Sequence, residues 1–259
     1  MALLTNHGGS SSRDRTWFLT PPDRAAKVRV FCFPFAGGSA AFYWRWRRAA
    51  AWLDICPVEL PGRGFRSRER PEHRAAPLIE GVGRALAPEL AGPYALFGHS
   101  MGALLCFELA RWLRSAGLPP PAHIFASARR APHLVDRQQP RARLPEPDLL
   151  KTIAGLGGIK EELLSNRDLL DLVIPRLRAD LAVCEDYRYV AEAPLSVPLT
   201  VFGGADDPEA ARAELEGWRA HTSGPVSVHI FPGDHFFIER GYELVLQAIE
   251  RALLDWRAS

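Results

Sequence analysis

The sequence lacks an apolar run long enough to cross a bilayer. Its longest stretch without Asp, Glu, Lys or Arg extends from Leu90 to Phe107, and glycines and a proline interrupt it. A membrane-spanning helix needs about 20 consecutive apolar residues. Residues 1–15 are polar and rich in glycine and serine, and they lack the apolar core of a secretory signal. We therefore expect a cytoplasmic protein with no membrane partner.

Cysteine is scarce, and neither sign of charge is in clear excess. The four cysteines lie far apart, in apolar contexts and without a C-x-x-C pair: Cys32, Cys56, Cys106 and Cys184. This spacing argues against a metal site or a disulfide framework, so we expect reduced core residues and no bound metal. The 32 basic and 30 acidic residues give a formal net charge of +2. A nucleic-acid partner is therefore not expected.

What the sequence does contain is enough apolar material for a full core. Of its 259 residues, 47% are hydrophobic and 24% are charged, which is typical of a globular protein. Residues 1–16 show no apolar periodicity, so we predict a disordered tail there and a single domain over 17–259. We expect this domain to be a monomer.

Strand-like and helical patterns alternate along the chain. Short apolar runs that end in turn residues predict strands at 28–33, 53–60, 94–97, 124–126, 199–202 and 226–231. Helical spacing of apolar residues occurs at 76–90, 103–116, 209–221 and 242–256. Such alternation predicts an α/β fold with a mostly parallel sheet covered by helices on both faces.

The segment 129–193 breaks this alternation. It is long and proline-containing, with helical spacing at 163–171 and 174–187 and no convincing strand. An insertion of this length between two sheet strands is better explained as a lid over a site than as a connecting loop. We therefore predict a helical lid at about 129–193.

A G-x-S-x-G pentapeptide spans residues 98–102, between a predicted strand and a predicted helix. In this context the serine stands on a sharp turn that exposes its hydroxyl, and the flanking glycines remove side chains that would collide. Ser100 is thus the candidate nucleophile. The alternative is an ordinary glycine-rich turn.

A serine nucleophile needs a histidine base, and eight histidines compete for that role. His235 alone directly follows the last predicted strand, in a glycine turn that would place it at the carboxyl edge of the sheet. We therefore predict His235 as the base. The alternative is a loop histidine that caps the next helix.

Two adjacent aspartates compete for the role of the acid that orients the histidine. Asp206 and Asp207 both follow the predicted strand at 199–202. Asp207 precedes Pro208, which could open the next helix, so Asp207 could instead be an N-cap. Composition alone leaves the choice open.

Stabilising an oxyanion takes two backbone N–H groups. One is expected from Met101, directly after the nucleophile, and the second from the loop that follows the first strand, where Ala36 is the candidate. The alternative for this loop is a simple tight turn.

At this point the motifs carry a family resemblance. The chain resembles the type II thioesterases of the α/β-hydrolase superfamily, the stand-alone editing enzymes of polyketide and nonribosomal peptide assembly lines. The matching segments are Phe33-Pro34-Phe35-Ala36-Gly37-Gly38-Ser39, Leu60-Pro61-Gly62-Arg63-Gly64, Gly98-His99-Ser100-Met101-Gly102, Arg178-Ala179-Asp180-Leu181, Gly203-Gly204-Ala205-Asp206-Asp207-Pro208 and Gly233-Asp234-His235-Phe236-Phe237.

The resemblance assigns roles to individual residues. It implies Ser100 as nucleophile, His235 as base, and the N–H groups of Ala36 and Met101 as the oxyanion hole. The family's acid stands in a G-x-x-D-P arrangement, which Asp207 matches. The resemblance therefore selects the second of the two aspartates.

The resemblance also implies a substrate and a partner. The substrate would be an acyl thioester on the phosphopantetheine arm of an acyl or peptidyl carrier protein, and the enzyme would need no cofactor of its own. Carrier proteins are generally acidic, so basic residues near the lid entry could steer docking. The candidates, which could equally form a solvated surface run, are Arg129, Arg130, Arg137, Arg141 and Arg143.

Two other functions compete with this interpretation. A carboxylesterase or lipase would use the same triad on an oxygen ester. A non-catalytic protein could keep the fold and bind a carrier domain or a ligand, although such proteins usually lack a member of the triad. The presence of serine, acid and histidine in the expected order favours the enzyme.

Overall fold

The computed structural model describes residues 17–134, 140–157 and 165–258, and the predicted tail lies outside them. Six strands form one sheet in the order β2-β1-β3-β4-β5-β6, and every neighbouring pair is parallel. The strands are β1 (Val28–Phe33), β2 (Leu53–Pro57), β3 (Tyr94–His99), β4 (His123–Ser127), β5 (Leu199–Gly204) and β6 (Val226–Phe231). The predicted α/β architecture is thus confirmed.

Burial explains why apolar runs in the sequence predicted the strands. Every residue of β1, β3, β4 and β5 is buried, because helices cover both faces of a parallel sheet and each strand becomes a continuous apolar run. The predicted strand at 53–60 is too long. It ends at Pro57, after which Val58 forms an isolated antiparallel bridge with Phe18.

Helices pack on the two faces of the sheet. The helices are α1 (Trp44–Ala49), α2 (Ala75–Leu86), α3 (Met101–Ser115), α4 (Glu146–Gly155), α5 (Arg167–Glu185), α6 (Arg212–Glu216), α7 (Phe237–Arg240) and α8 (Tyr242–Ala258). One apolar cluster joins α2 and α3 to one face, and a second joins α1 and α8 to the other. None of the helices in the described ranges is long and apolar enough to cross a membrane.

The segment between β4 and β5 contains α4 and α5. The sequence pattern missed α4, and it divided the α5 region into two helical stretches, 163–171 and 174–187. The helix instead continues without a break across residues 172 and 173, and it contains Pro175. Buried residues at helical spacing on both sides of it, including Leu170, Ile174, Leu177 and Leu181, hold the helix in a small apolar cluster with α4. We call this cluster the lid cluster. No strand lies among the described residues of 129–193.

The predicted helix at 209–221 is also wrong in its bounds. Only Arg212–Glu216 is α-helical, and Gly217–His221 continues as a tighter 3₁₀ turn. The helix therefore begins well after Pro208, with Ala211 at its N-cap position. Asp207 is not a helix cap, which removes the structural alternative for that residue.

Candidate active site

Ser100 occupies a strained turn between β3 and α3. Its backbone adopts φ 53° and ψ −113°, and its N–H donates to the Ser127 carbonyl over 2.7 Å. A Cβ added at Gly98 would lie 2.0 Å from the Gly102 oxygen, and one at Gly102 would lie 2.3 Å from the Phe33 oxygen. The turn is possible only because both flanking residues are glycines.

The structure brings His235 against Asp207. The Nδ1 atom of His235 lies 3.0 Å from each carboxylate oxygen of Asp207, and both side chains are buried. Asp207 Oδ1 also accepts the N–H of Glu209 over 2.8 Å, which fixes the carboxylate. A carboxylate at Nδ1 leaves Nε2 as the basic ring nitrogen. Asp206, in contrast, is exposed.

The two candidate oxyanion donors belong to Met101, directly after Ser100, and to Ala36. Met101 is the first residue of α3, so its N–H has no acceptor within the helix, and the helix dipole favours negative charge there. Ala36 lines the same cavity as Ser100. The loop that carries Ala36 is a tight turn, closed by a 2.9 Å bond from the Gly38 N–H to the Phe35 carbonyl. The loop can therefore be a tight turn and also carry the candidate oxyanion donor.

A cavity of about 60 Å³ contains Ser100 and His235 on its wall. Phe35 and Phe236 form an aromatic side, with ring centroids 5.0 Å apart. Helices α4 and α5, with Leu156 directly after α4, supply an aliphatic side composed of Ile153, Leu156, Leu177 and Leu181. The remaining lining residues are Ala36, Ala128, Arg129, Arg130, Arg141, Cys184, Glu185 and Glu209.

The charged part of this wall corrects one prediction. Arg130 and Arg141 are only 8% and 9% exposed, so they form neither a solvated surface run nor a docking patch. Arg141 pairs with the Glu209 carboxylate over 2.6 Å, and Arg130 donates to the Glu209 carbonyl over 3.0 Å. Of the other candidates, Arg129 is half-buried, Arg143 is exposed, and position 137 lies outside the described residues.

His99 lies beside His235, the candidate base, and is fully buried. Its Nδ1 is 2.9 Å from the Ser127 hydroxyl, and its ring centroid is 5.3 Å from that of His235. Burial lowers the pKa of His99 well below its usual range, and the neighbouring His235 lowers it further. A neutral His99 therefore adds no positive charge next to His235.

The sequence patterns did not predict several residues of the cavity. Leu177 and Leu181 had a usable signal, because they are four residues apart on a predicted helix. Cys184 was expected in the core but is half-buried on the cavity wall. Ala128 has φ 51°, and nothing in the sequence marks that conformation.

In the described parts of the chain, no group of three or more His, Cys, Asp and Glu side chains could hold a metal ion.

Comparisons with known proteins agree with this geometry. The Thioesterase domain family model matches residues 28–253. Linear gramicidin dehydrogenase LgrE of Brevibacillus parabrevis is 42% identical over 245 residues, which cover 93% of each chain. The name of that relative describes a redox enzyme. The G-x-G-x-x-G fingerprint that binds the dinucleotide in many dehydrogenases does not occur in this sequence.

Solved structures show the same relationship. RedJ, a thioesterase from the prodiginine pathway of Streptomyces coelicolor, is 40% identical, with a TM-score of 0.84 over 89% of this chain and 92% of that one. BorB, a type II thioesterase from the borrelidin biosynthetic cluster, is 33% identical, with a TM-score of 0.83 over 91% and 96%. This chain therefore belongs to the thioesterase family of the α/β-hydrolase fold, as its motifs predicted.

Proposed function

We propose that this protein hydrolyses acyl thioesters on the phosphopantetheine arm of acyl or peptidyl carrier proteins, as an editing enzyme of polyketide or nonribosomal peptide biosynthesis. In this proposal Ser100 is the nucleophile, His235 the base and Asp207 the acid. One observation carries it: the strained Ser100 and His235, which is paired with the buried Asp207, line one cavity. The similarity to RedJ and BorB, which are thioesterases of biosynthetic pathways, supports thioester hydrolysis as the reaction.

The proposed reaction has two halves. His235 takes the Ser100 proton at Nε2 while the serine oxygen attacks the thioester carbonyl, and the N–H groups of Ala36 and Met101 stabilise the oxyanion. The C–S bond then breaks, and the carrier thiol leaves with the proton from His235. In the second half, His235 deprotonates a water that attacks the acyl-serine ester. This releases a free carboxylic acid and restores Ser100.

The size of the cavity supports short acyl groups as substrates. About 60 Å³ is available beside Ser100, and side chains of α4 and α5 form part of the wall. We assign these helices to a lid, inserted at about 129–193 into a domain that spans 17–259. A lid of this kind excludes water and limits acyl size. Removal of short, non-extendable acyl groups from a carrier arm is what an editing enzyme requires.

The experiment measures release of the carrier thiol from acetyl-, propionyl- and aminoacyl-loaded carrier proteins by intact-protein mass spectrometry. A p-nitrophenyl ester and the Ser100→Ala variant are run in parallel. Faster cleavage of carrier-bound short acyl groups supports the proposal. Turnover of the free ester with intact acyl carriers would indicate a carboxylesterase, and no turnover of either substrate would indicate a binding protein.

A further inference from the structure

A buried ion pair connects α5 to the segment that follows β2. Arg63 donates to Asp180 through two parallel bonds, from Nη1 to Oδ2 over 2.7 Å and from Nη2 to Oδ1 over 2.6 Å. The two side chains are 1% and 0% exposed. Neither residue lines the cavity that contains Ser100.

Both members of the pair also hold the loop that contains Ala36. Asp180 Oδ2 accepts the Gly37 N–H over 2.7 Å, and Arg63 Nη1 donates to the Gly38 carbonyl over 3.0 Å. These bonds act on the two residues that directly follow Ala36. They restrict the rotation of the backbone that sets the direction of the Ala36 N–H.

Apolar contacts press the same loop against α5. Ala36 packs on the lid cluster, and a Cβ added at Gly37 would lie 3.3 Å from Leu177 Cδ1. Gly37 has φ +77°, a conformation that favours glycine. The loop and α5 therefore pack together, and the ion pair forms hydrogen bonds with the loop.

Stability alone gives little reason to bury two charges here. The desolvation of a buried ion pair offsets most of its attraction, and an apolar pair of similar volume is often as stable or more so. An apolar pair cannot form the hydrogen bonds that orient the backbone of this loop. The Arg63–Asp180 pair presents an acceptor to the Gly37 N–H and a donor to the Gly38 carbonyl.

We propose that Arg63 and Asp180 are positioning residues that aim the Ala36 N–H at the oxyanion and couple this aim to the docking of α5. The inference rests on the proposed function, because it assumes that the Ala36 N–H stabilises the oxyanion. Misplacing one such donor should weaken transition-state binding with little effect on binding of the ground state.

The test uses the full-length protein and the double variant Arg63→Met/Asp180→Leu, which replaces the pair by apolar side chains. The measurements are kcat and KM on an acetyl-loaded carrier protein, and the inhibition constant of a trifluoromethyl ketone, which forms an oxyanion on the nucleophile. We expect kcat/KM and ketone affinity to fall together by about 10- to 100-fold, with KM nearly unchanged and the melting temperature retained.

Arg178→Met is the matched control. Arg178 also lies on α5 and donates to the Ala142 carbonyl over 2.7 Å, a contact that does not involve the loop. Wild-type ketone affinity in this variant supports the proposal. An equal loss would assign the effect to general loosening of α5 and would overturn it.

Two outcomes separate this inference from the proposed function. Wild-type kcat and ketone affinity in a folded double variant overturn the inference and leave the proposed function intact, whereas a wild-type enzyme inactive on the carrier overturns the proposed function itself. If the double variant does not fold, Asp180→Asn decides. A fall of about tenfold in both kcat/KM and ketone affinity supports positioning, and unchanged values of both overturn it.

Discussion

Both carboxylate oxygens of Asp207 lie 3.0 Å from Nδ1 of His235, whereas the adjacent Asp206 is exposed. The two aspartates, which the residues alone could not separate, thus differ in what they touch. A carboxylate at Nδ1 holds the imidazole in the tautomer that leaves Nε2 basic, and it stabilises the protonated ring.

Exchanging each aspartate in turn tests this difference. Asp207→Asn should lower kcat by about 1,000-fold or more, because an amide cannot stabilise the protonated imidazole. Asp206→Asn should stay within about twofold of wild type, since exposed substitutions away from a site have small effects. Steady-state rates on an acyl carrier decide between them, and a larger loss in the Asp206 variant would reverse the assignment.

The glycines of the turn give a prediction about stability. In Gly102→Ala the new methyl group would lie 2.3 Å from the Phe33 carbonyl oxygen, so β1 or α3 must move. We expect a loss of about 3 kcal/mol or more in the free energy of unfolding, with activity lost as well. Denaturant unfolding measures the loss.

Gly155→Ala is the control for that substitution. A Cβ at Gly155 would meet no atom within 4 Å, and the residue ends α4. Its free energy of unfolding should match or slightly exceed that of wild type. Equal stability of the Gly102 and Gly155 variants would contradict the close packing of the turn.

The aliphatic side of the cavity predicts acyl-chain preference. Leu181→Ala should enlarge the cavity and raise the ratio of hexanoyl to acetyl hydrolysis by about tenfold, because each methylene in an apolar site is worth about 1 kcal/mol or more. Leu170 belongs to the same lid cluster but does not line the cavity. Leu170→Ala should therefore lose stability without changing the ratio. A similar ratio in both variants would contradict the assignment of α5 as the cavity wall.

Acid should weaken the fold through buried histidines. Burial lowers the pKa of His123 from 6.5 to about 4, while its Nε2 lies 2.8 Å from the Thr200 hydroxyl. An unfolded chain binds a proton at this residue below about pH 6.5 and the native protein does not, so this stability is full above that pH and lost as pH falls. Between pH 7 and 5 the loss from His123 is about 2 kcal/mol.

Urea unfolding at the two pH values tests this contribution. His123→Gln cannot bind a proton in either state, so its free energy of unfolding should decrease less than that of wild type between pH 7 and 5, by about 2 kcal/mol. An equal decrease in both proteins would show that His123 is not the titrating group.

Local patterns identified most of the sheet and the turn that holds Ser100. A buried parallel strand is a continuous apolar run, and a strand-to-helix turn of this sharpness requires glycines at fixed positions. In each case a few neighbouring residues of the sequence are enough to meet the requirement. The prediction of His235 as the base rests on the same kind of local signal, since this residue follows the turn after the last strand.

The cavity wall was harder to predict because distant segments form it. Arg141 is a charged residue in a polar stretch, and only its pairing with Glu209 explains its burial. The short helix α4 was missed because its buried residues, Leu149 and Ile153, are too few to establish a period. Contacts between residues far apart in the sequence leave no local pattern.

The most direct test of the proposed mechanism is to identify the atom that receives the acyl group. Enzyme mixed with an acetyl-loaded carrier protein and quenched rapidly is digested, and the acetylated peptide is located by mass spectrometry. The proposed role of Ser100 as nucleophile predicts acetyl on Ser100 and none on Cys184, a residue that lines the same cavity but whose thiol has its pKa raised by burial. Acetyl on Cys184, or hydrolysis that continues undiminished in Ser100→Ala, would contradict it.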